Sequence, residues 1–124
     1  MILGIGCDIV RVERVERAAK NERFLVRVYT EAERTYAVQC GRAGAASLAA
    51  RFAGKEAVLK AFGTGLRGGT LHDVEILPGA LGAPEVHLYG YFAARAAEMG
   101  VTRIWITLSH EKEYATAYCI LEGQ

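Results

Sequence analysis

The feature that most constrains the fold is an alanine- and leucine-rich stretch, residues 45–62, which contains no proline and a single glycine. Its large apolar side chains recur at helical spacing and predict a helix with an apolar stripe, formed by Leu48, Phe52, Leu59 and Phe62. Gly63 follows directly and suits the end of a helix, because glycine adopts the left-handed backbone of a helix cap at little cost.

Segments with strand character lie on both sides of this helix. Residues 2–10 (ILGIGCDIV) place Ile5, Cys7 and Ile9 on one face, and they predict a largely buried strand. This strand carries Asp8 at its end. Short strands are predicted at DVEIL and EVHLY, and RIWITLS pairs with YATAYCIL around the turn HEKE as an antiparallel hairpin.

Three further segments have helical patterns. Apolar residues recur at helical spacing within residues 11–28, and a helix near 91–99 stops at Gly100. Thr30 and Glu33 form the pattern of a capping box, which predicts a helix through about Gln39. A chain of 124 residues, 52% of them hydrophobic, fits a single domain spanning residues 1–124. The predicted class is α+β, with a small, mostly antiparallel sheet packed with helices.

Composition excludes several classes of protein. The formal net charge is only +1, which argues against a general nucleic-acid-binding surface. Three cysteines without CxxC spacing predict neither a disulfide framework nor a zinc cage. The N-terminal apolar stretch meets Asp8 too early for a signal peptide, and no stretch approaches the length of a membrane span. We therefore expect a cytoplasmic protein that binds neither nucleic acid nor membrane.

Glu56 and Lys60 are the first candidates for chemistry. They are four residues apart, so they share one face of the predicted helix, and an ordinary surface ion pair is the alternative. The small residues Ala49 and Ala53 continue this face, and Gly63-Thr64-Gly65 follows Lys60 closely. A carboxylate, an ammonium and exposed amides together suit a phosphate held with a hard divalent cation. The glycine pattern alone lacks the order and spacing of a P-loop.

Two other polar positions leave alternatives open. A carboxylate in an apolar strand, such as Asp8, must be hydrogen-bonded, lie at a strand end or bind a cation. Its position alone favours capping of the next helix over catalysis by about two to one. Ser109 and His110 end a strand, and a nucleophilic serine would need a base and an orienting acid that the pattern does not supply. A structural histidine is favoured there.

Positive charge is densest between residues 11 and 27. Three acidic side chains there oppose six basic ones, which are Arg11, Arg14, Arg17, Lys20, Arg23 and Arg27. The stretch is either a solvated face or a docking site for an acidic partner. Phe24, which lies within it, favours docking.

Three segments carry a resemblance that covers essentially the whole chain. GIGCDIVRVERV, LAARFAGKEAVLKAFGTGL and ITLSHEKEYATAYCIL resemble the holo-[acyl-carrier-protein] synthase family, the short bacterial type of 4′-phosphopantetheinyl transferase. The weaker GAPEVHLYG segment resembles the family's Gly-x-Pro strand. The resemblance implies a homotrimer with active sites between neighbouring subunits. It also implies transfer of 4′-phosphopantetheine from coenzyme A to a serine of apo acyl carrier protein, with release of adenosine 3′,5′-bisphosphate, in fatty acid biosynthesis.

The resemblance also implies roles for individual residues. Asp8 and Glu56 would bind Mg²⁺, and Lys60 would contact the phosphates and assist the leaving group. Glu56, or a metal-held water beside it, would be the general base. The coenzyme A pocket would include Arg51, Lys60, Gly65, Pro84, Ser109 and His110. Carrier docking would use Arg14, Arg23, Phe24 and Arg27.

The sequence departs from the family pattern at three positions. Gly54 replaces the commoner alanine in the central helix, at a cost of about 1 kcal/mol in helix propensity. Ala83 stands where many relatives have lysine, and Glu13 adds negative charge to the basic stretch.

Two functions remain as alternatives. A non-catalytic coenzyme A or nucleotide-binding module that docks an acidic protein would tolerate the loss of Asp8 and of metal. A metal-dependent nucleotide hydrolase would release phosphate or nucleotide without any carrier protein.

Overall fold

A computed structural model describes all 124 residues, which form five strands and five α-helices. In chain order they are β1 (Ile2–Arg11), α1 (Val12–Ala18), α2 (Glu22–Val28), α3 (Glu31–Gln39), α4 (Gly44–Phe62), β2 (Val74–Pro78), β3 (Pro84–Leu88), α5 (Gly90–Met99), β4 (Val101–His110) and β5 (Tyr114–Gly123). None of the helices combines the length and the hydrophobicity that crossing a membrane requires.

The strands form two antiparallel sheets. β5 lies between β1 and β4 in a three-stranded sheet, and β2 pairs with β3 in a separate hairpin. The helices pack around these sheets, so the predicted α+β class, with a small antiparallel sheet, is confirmed. The predicted hairpin of β4 and β5 is confirmed as well.

Helix α4 is the centre of the molecule. Thirteen of its 19 residues are buried, which is far more than the predicted apolar stripe. One apolar cluster joins α4 to β2, α5 and β5, and a second joins its N-terminal half to α1, α2 and α3. The helix ends at Gly63, which has the left-handed φ of 78°, as predicted.

Strand β1 packs against α4 through glycine. A Cβ atom on Gly6 would lie 2.1 Å from the carbonyl oxygen of Ala57, and one on Gly4 would lie 2.1 Å from that of Ala61. The missing side chains therefore let the strand backbone rest directly on the helix. Asp8, two residues after Gly6, lies on the same side of the strand.

The other face of β1 is open, which corrects the prediction of a largely buried strand. The side chains of Ile5 and Ile9 are 69% and 61% exposed, because α4 covers only the opposite face of the sheet. The register extends this surface across β5 and β4, where Tyr118 and Trp105 are also exposed. We call this surface the open sheet face; it includes Ile5, Cys7, Ile9, Trp105, Ser109 and Tyr118.

The basic stretch forms two short helices, whereas the sequence pattern predicted a single helix over residues 11–28. Arg11 belongs to β1, and α1 and α2 are separated at residues 19–21. The break has a local cause, since the side chain of Asn21 accepts a hydrogen bond from the Arg23 amide at 2.9 Å and caps α2. The predicted capping box of Thr30 and Glu33 is confirmed at the start of α3.

Candidate functional site

Asp8 and Lys60 meet where β1 crosses α4. The ammonium of Lys60 donates to Asp8 Oδ1 at 3.1 Å and to the carbonyl oxygen of Cys7 at 3.0 Å. Asp8 lies inside β1, three residues before its end, and not at the strand end as predicted. It caps no helix either, because the N-cap of α1 is Arg11 and no side chain bonds to that end. The capping hypothesis for Asp8 is therefore wrong.

Glu56 completes a group of two carboxylates and one ammonium. Burial raises the pKa of Glu56, the negative charge of Asp8 raises it further, and Lys60 opposes both effects. The hydrogen bond to Asp8 in turn raises the pKa of Lys60. Two carboxylates that repel each other beside a single ammonium favour an additional cation.

The donor set fits a hard divalent cation with few protein ligands. The structure contains no group of three or more His, Cys, Asp or Glu side chains arranged to hold a metal ion. A metal at Asp8 and Glu56 would therefore complete its shell with water or with oxygen atoms of a substrate. Mg²⁺ is usually bound in this way, through one or two carboxylates and phosphate oxygens.

An open cavity of about 500 Å³ adjoins this group. It is lined by Glu56, Leu59, Lys60, Gly63, Gly65 and Leu66. Gly65 has a φ of 62°, a conformation that side chains disfavour, so the turn after α4 depends on glycine here. The structure thus brings together three residues predicted for chemistry: Glu56, Lys60 and Gly65.

The other residues predicted for coenzyme A lie elsewhere in the chain. The side chain of Arg51 is buried; its Nε donates to the carbonyl oxygen of Ile76 at 3.3 Å, and its guanidinium lies over the ring of Tyr36. Pro84 lines a separate cavity of about 800 Å³ between β3, α5 and β4. Ser109 and His110 are exposed at the end of β4. One copy of the chain does not gather these residues around Lys60.

The small residues that precede Glu56 on α4 do not form part of a binding site, contrary to the prediction. Ala49 and Ala53 are completely buried in the core, so they leave no space for a ligand. It is the backbone of β1 that approaches α4 closely, farther along the helix at Ala57 and Ala61.

The basic stretch forms two shallow sites around α1 and α2. Arg14 and Phe24 line a mostly apolar cavity of about 350 Å³, and Arg23 and Arg27 line a groove along α2. Phe24 is only partly free, because its ring stacks on Phe52 with 6.2 Å between centroids.

Glu13, the acidic residue that departs from the family pattern in the basic stretch, forms an ion pair within its own helix. Glu13 pairs with Arg17 one turn along α1. Arg14, Arg23 and Arg27 form no ion pair within the chain, so their charges are available to a partner.

Sequence reasoning missed a buried ion pair beside this site. Lys55 and Glu33 are both completely buried, with 2.8 Å between Nζ and Oε1. The capping-box pattern predicted only the bond between Glu33 and Thr30, and it gave no partner for Lys55. The one available signal was the spacing of Lys55, three residues after Phe52 and four before Leu59, which puts it on the predicted apolar stripe.

Comparisons with known proteins agree on one family. Residues 4–119 match the family model of the 4′-phosphopantetheinyl transferase superfamily. The chain is 48% identical to the holo-[acyl-carrier-protein] synthase of Desulforudis audaxviator, over 99% of this chain and 95% of that protein.

Solved structures give the same result. The crystal structure of the synthase from Neisseria meningitidis superposes with a TM-score of 0.89 at 36% identity, covering 98% of this chain and 99% of that one. A synthase from Bacillus anthracis, crystallised in complex with CoA (3′,5′-ADP), gives a TM-score of 0.83 at 32% identity, covering 100% of this chain and 99% of the other.

Proposed function

The chain belongs to the 4′-phosphopantetheinyl transferase superfamily, and from this premise we propose how its residues carry out the reaction of a holo-[acyl-carrier-protein] synthase. The enzyme transfers the 4′-phosphopantetheine group of coenzyme A to a serine of apo acyl carrier protein, a step that supplies fatty acid biosynthesis. The products are holo acyl carrier protein and adenosine 3′,5′-bisphosphate.

The proposal rests chiefly on one observation: Asp8 is bonded to Lys60, and Lys60 and Glu56 line a cavity together with two glycines. Asp8 and Glu56 are the residues that would hold Mg²⁺, which when bound neutralises charge on the coenzyme A diphosphate. The exposed ammonium of Lys60 lies at the same cavity, where it can bind phosphate oxygen atoms.

The transfer needs little covalent chemistry from this chain. The carrier serine oxygen attacks the β-phosphorus, its proton passes to a base, and the bond to the bridging oxygen breaks. Glu56, or a metal-held water beside it, suits the base because it lies at the cavity that would receive the diphosphate. The bridging oxygen leaves with the adenosine 3′,5′-bisphosphate, and Lys60 stabilises its negative charge.

The scattered coenzyme A residues support an active site between copies of the chain. Ser109 shares a row of the open sheet face with Ile9, and His110 follows it at the end of β4. If a neighbouring copy covers the open sheet face, these residues of one subunit come to lie beside the neighbour. We therefore propose a homotrimer, in which Ser109 and His110 complete the coenzyme A pocket across subunit boundaries. For Pro84 and for Arg51, which is buried within its own subunit, a place in that pocket rests on the resemblance alone.

Carrier recognition is assigned to the basic stretch. Arg14, Arg23 and Arg27 lack intramolecular ion pairs, and Arg14 borders the apolar cavity beside Phe24. Such a surface suits an acidic protein, with charge for encounter and an apolar centre for contact. We also propose that the enzyme is cytoplasmic. All three cysteines are free thiols, which is usual in a reducing compartment.

The direct test is to incubate the chain with Mg²⁺, coenzyme A and an apo carrier, and then to weigh the carrier by mass spectrometry. The carrier should gain one phosphopantetheine group, and a carrier with its acceptor serine changed to alanine should gain none. Unmodified carrier with intact coenzyme A would favour a binding module. Cleaved coenzyme A without a modified carrier would favour a hydrolase.

Variants of the proposed metal ligands sharpen this test. Asp8→Asn and Glu56→Gln should each reduce turnover by about a hundredfold, because several kcal/mol of charge stabilisation is lost. The matched control is Glu98→Gln, an exposed carboxylate on α5, which should leave turnover unchanged. A folded Glu56→Gln protein with the normal rate at limiting Mg²⁺ would overturn the metal assignment.

A further inference from the structure

The strongest feature that the proposed reaction does not use is the ammonium of Lys55, which is completely buried in the middle of α4. It has three acceptors: Glu33 Oε1 at 2.8 Å, the carbonyl oxygen of Leu71 at 2.9 Å and that of Val74 at 2.5 Å. These match its three N–H donors, so the whole donor capacity of the group is used within the chain.

This arrangement is unusual because a buried ammonium is costly. Burial lowers the pKa of Lys55, and the carboxylate of Glu33 opposes that shift. A buried ion pair is often no more stabilising than apolar residues of the same volume. The presence of a charge here therefore calls for a role other than stability alone.

Two of the three acceptors lie at the end of one segment. Residues 63–73 leave α4 at Gly63, pass Gly65 and Leu66 at the wall of the proposed diphosphate cavity, and return at Leu71 to the start of β2. Lys55 binds the carbonyl groups on both sides of that return. The far end of the segment is thereby tied to α4 one residue before Glu56.

Glu33 extends this tie to the neighbouring elements. Its Oε1 accepts from the amide of Thr30 at 2.8 Å, and its Oε2 accepts from the amide of Ile76 at 2.8 Å. The same carboxylate thus fixes the start of α3 and the middle of β2. The bonds of Lys55 therefore fix the point where the segment returns, at Leu71 and Val74, relative to the helix that carries Glu56 and Lys60.

We propose that Lys55 is a positioning residue for coenzyme A, which anchors the far end of residues 63–73 on α4 so that the wall containing Gly65 meets the diphosphate beside Glu56 and Lys60. The inference rests on the proposed function, because it assigns that cavity to the diphosphate. Lys55 itself touches no substrate; it acts through the segment that it ties down.

The test is the double variant Lys55→Met with Glu33→Gln, which removes both buried charges and leaves neither unpaired. The matched control is Leu121→Ala, a completely buried residue of β5 that makes no bond to the segment and should also reduce stability. Hydrogen exchange of residues 63–76 is measured without ligand. The KM for coenzyme A and kcat are measured with carrier at saturation.

We expect the double variant to exchange these amides about tenfold faster than the control, and to raise the KM for coenzyme A about tenfold with a smaller change in kcat. Exchange and KM equal to those of the control would overturn the proposal. Faster exchange with an unchanged KM would overturn the positioning role while leaving the proposed function intact. If the wild-type chain modifies no carrier, the proposed function itself is contradicted, and this result does not depend on the exchange measurements.

The wild-type protein supplies a second measurement should the double variant fail to fold. If Lys55 ties the segment down, the hydrogen-bonded amides of residues 73–76 should exchange with the protection of the centre of α4, whereas residues 65–68 should exchange faster. Rapid exchange of residues 73–76 in a folded protein would overturn the proposal.

Discussion

Asp8, Glu56 and Lys60 form a group of two carboxylates and one ammonium, so one negative charge in the group is unbalanced. Each side chain alone has an ordinary explanation in the sequence, and only their meeting across β1 and α4 distinguishes them. The glycine pattern in β1 indicated a strand but did not show that the strand backbone rests on α4. The i,i+4 spacing of Glu56 and Lys60 was visible, whereas the partner of Lys60 in β1 was not.

A prediction at this scale concerns the titration of Glu56. Its pKa is raised in the folded state, chiefly by burial, so folding favours the protonated carboxyl. This contribution to stability is present below the unfolded pKa and is lost as the pH rises through the folded pKa. From about pH 4 to pH 7, the free energy of unfolding should therefore fall more in the wild type than in Glu56→Gln.

Urea unfolding in the presence of EDTA measures this difference. Added Mg²⁺ should restore part of the loss in the wild type, since a ligand that binds only the folded state stabilises it. Identical pH profiles for the wild type and Glu56→Gln would contradict the prediction.

A second residue-scale prediction separates binding from chemistry at Lys60. If its ammonium acts mainly on the developing charge of the leaving phosphate, Lys60→Met should lower kcat by more than it raises the KM for coenzyme A. Steady-state kinetics with saturating carrier measures both constants. A raised KM with unchanged kcat would make Lys60 a ground-state phosphate contact only.

At the level of elements, local patterns predicted well wherever a single segment decides its own structure. The capping box of α3 and the glycine ends of α4 and α5 are local features, and all three are confirmed. The break between α1 and α2 was missed because the cap at Asn21 competes with a weak apolar periodicity. The face that β1 buries was also missed, since that depends on which element covers the sheet.

Gly54 is another residue whose role depends on the elements packed around it and could not be predicted from its own segment. Its cost in helix propensity was visible in the sequence, but its packing role was not. A Cβ at this position would lie 2.6 Å from Cδ1 of Ile76 and 3.0 Å from Cδ2 of Leu108. The glycine lets β2 and β4 approach α4 closely.

The contact between β1 and α4 gives a prediction for this scale. Gly6→Ala would place a Cβ 2.1 Å from a backbone oxygen of α4, which cannot move without shifting the helix. We expect a loss of about 1–3 kcal/mol in the free energy of unfolding, and lower turnover because Asp8 moves away from Lys60. Denaturant unfolding and the activity per folded molecule measure the two effects. Ile2→Ala, an exposed change in the same strand, is the control; equal behaviour of the two variants would contradict the prediction.

The proposed docking of the carrier also belongs to this scale, because it involves two elements, α1 and α2. Arg14→Glu should raise the KM for the carrier strongly and leave the KM for coenzyme A nearly unchanged. Added salt should weaken the wild type more than the variant, because exposed charges are screened beyond about 10 Å at ordinary ionic strength. Arg17, which already pairs with Glu13 on the same helix, provides the matched control variant Arg17→Glu with a smaller effect.

Steady-state kinetics at several salt concentrations measures these effects. If Arg14→Glu combined with Arg27→Glu changes neither the carrier KM nor its salt dependence, the basic stretch is only a solvated face.

For the whole molecule, the central question is what covers the open sheet face. Ile5 and Ile9 are more than half exposed there, and Tyr118 and Trp105 extend the surface across the sheet. Isolated apolar residues on a surface are common, but a contiguous set across three strands is typical of a contact with another protein. The sequence predicted a homotrimer only by resemblance, because no pattern within one chain specifies its contacts with other copies.

The last prediction tests this assembly. If copies associate through the open sheet face, Ile5→Glu should place a charge in the contact and dissociate the protein, because an unpaired charge is costly to bury. Sedimentation equilibrium at micromolar concentration should then show a trimer for the wild type and a monomer for Ile5→Glu. Val38→Glu is the matched control, since Val38 is 80% exposed on α3, away from this sheet. The monomer should keep its circular dichroism spectrum but lose turnover, because Ser109 and His110 no longer reach a neighbouring cavity. A monomeric wild type with full activity would refute the shared active site.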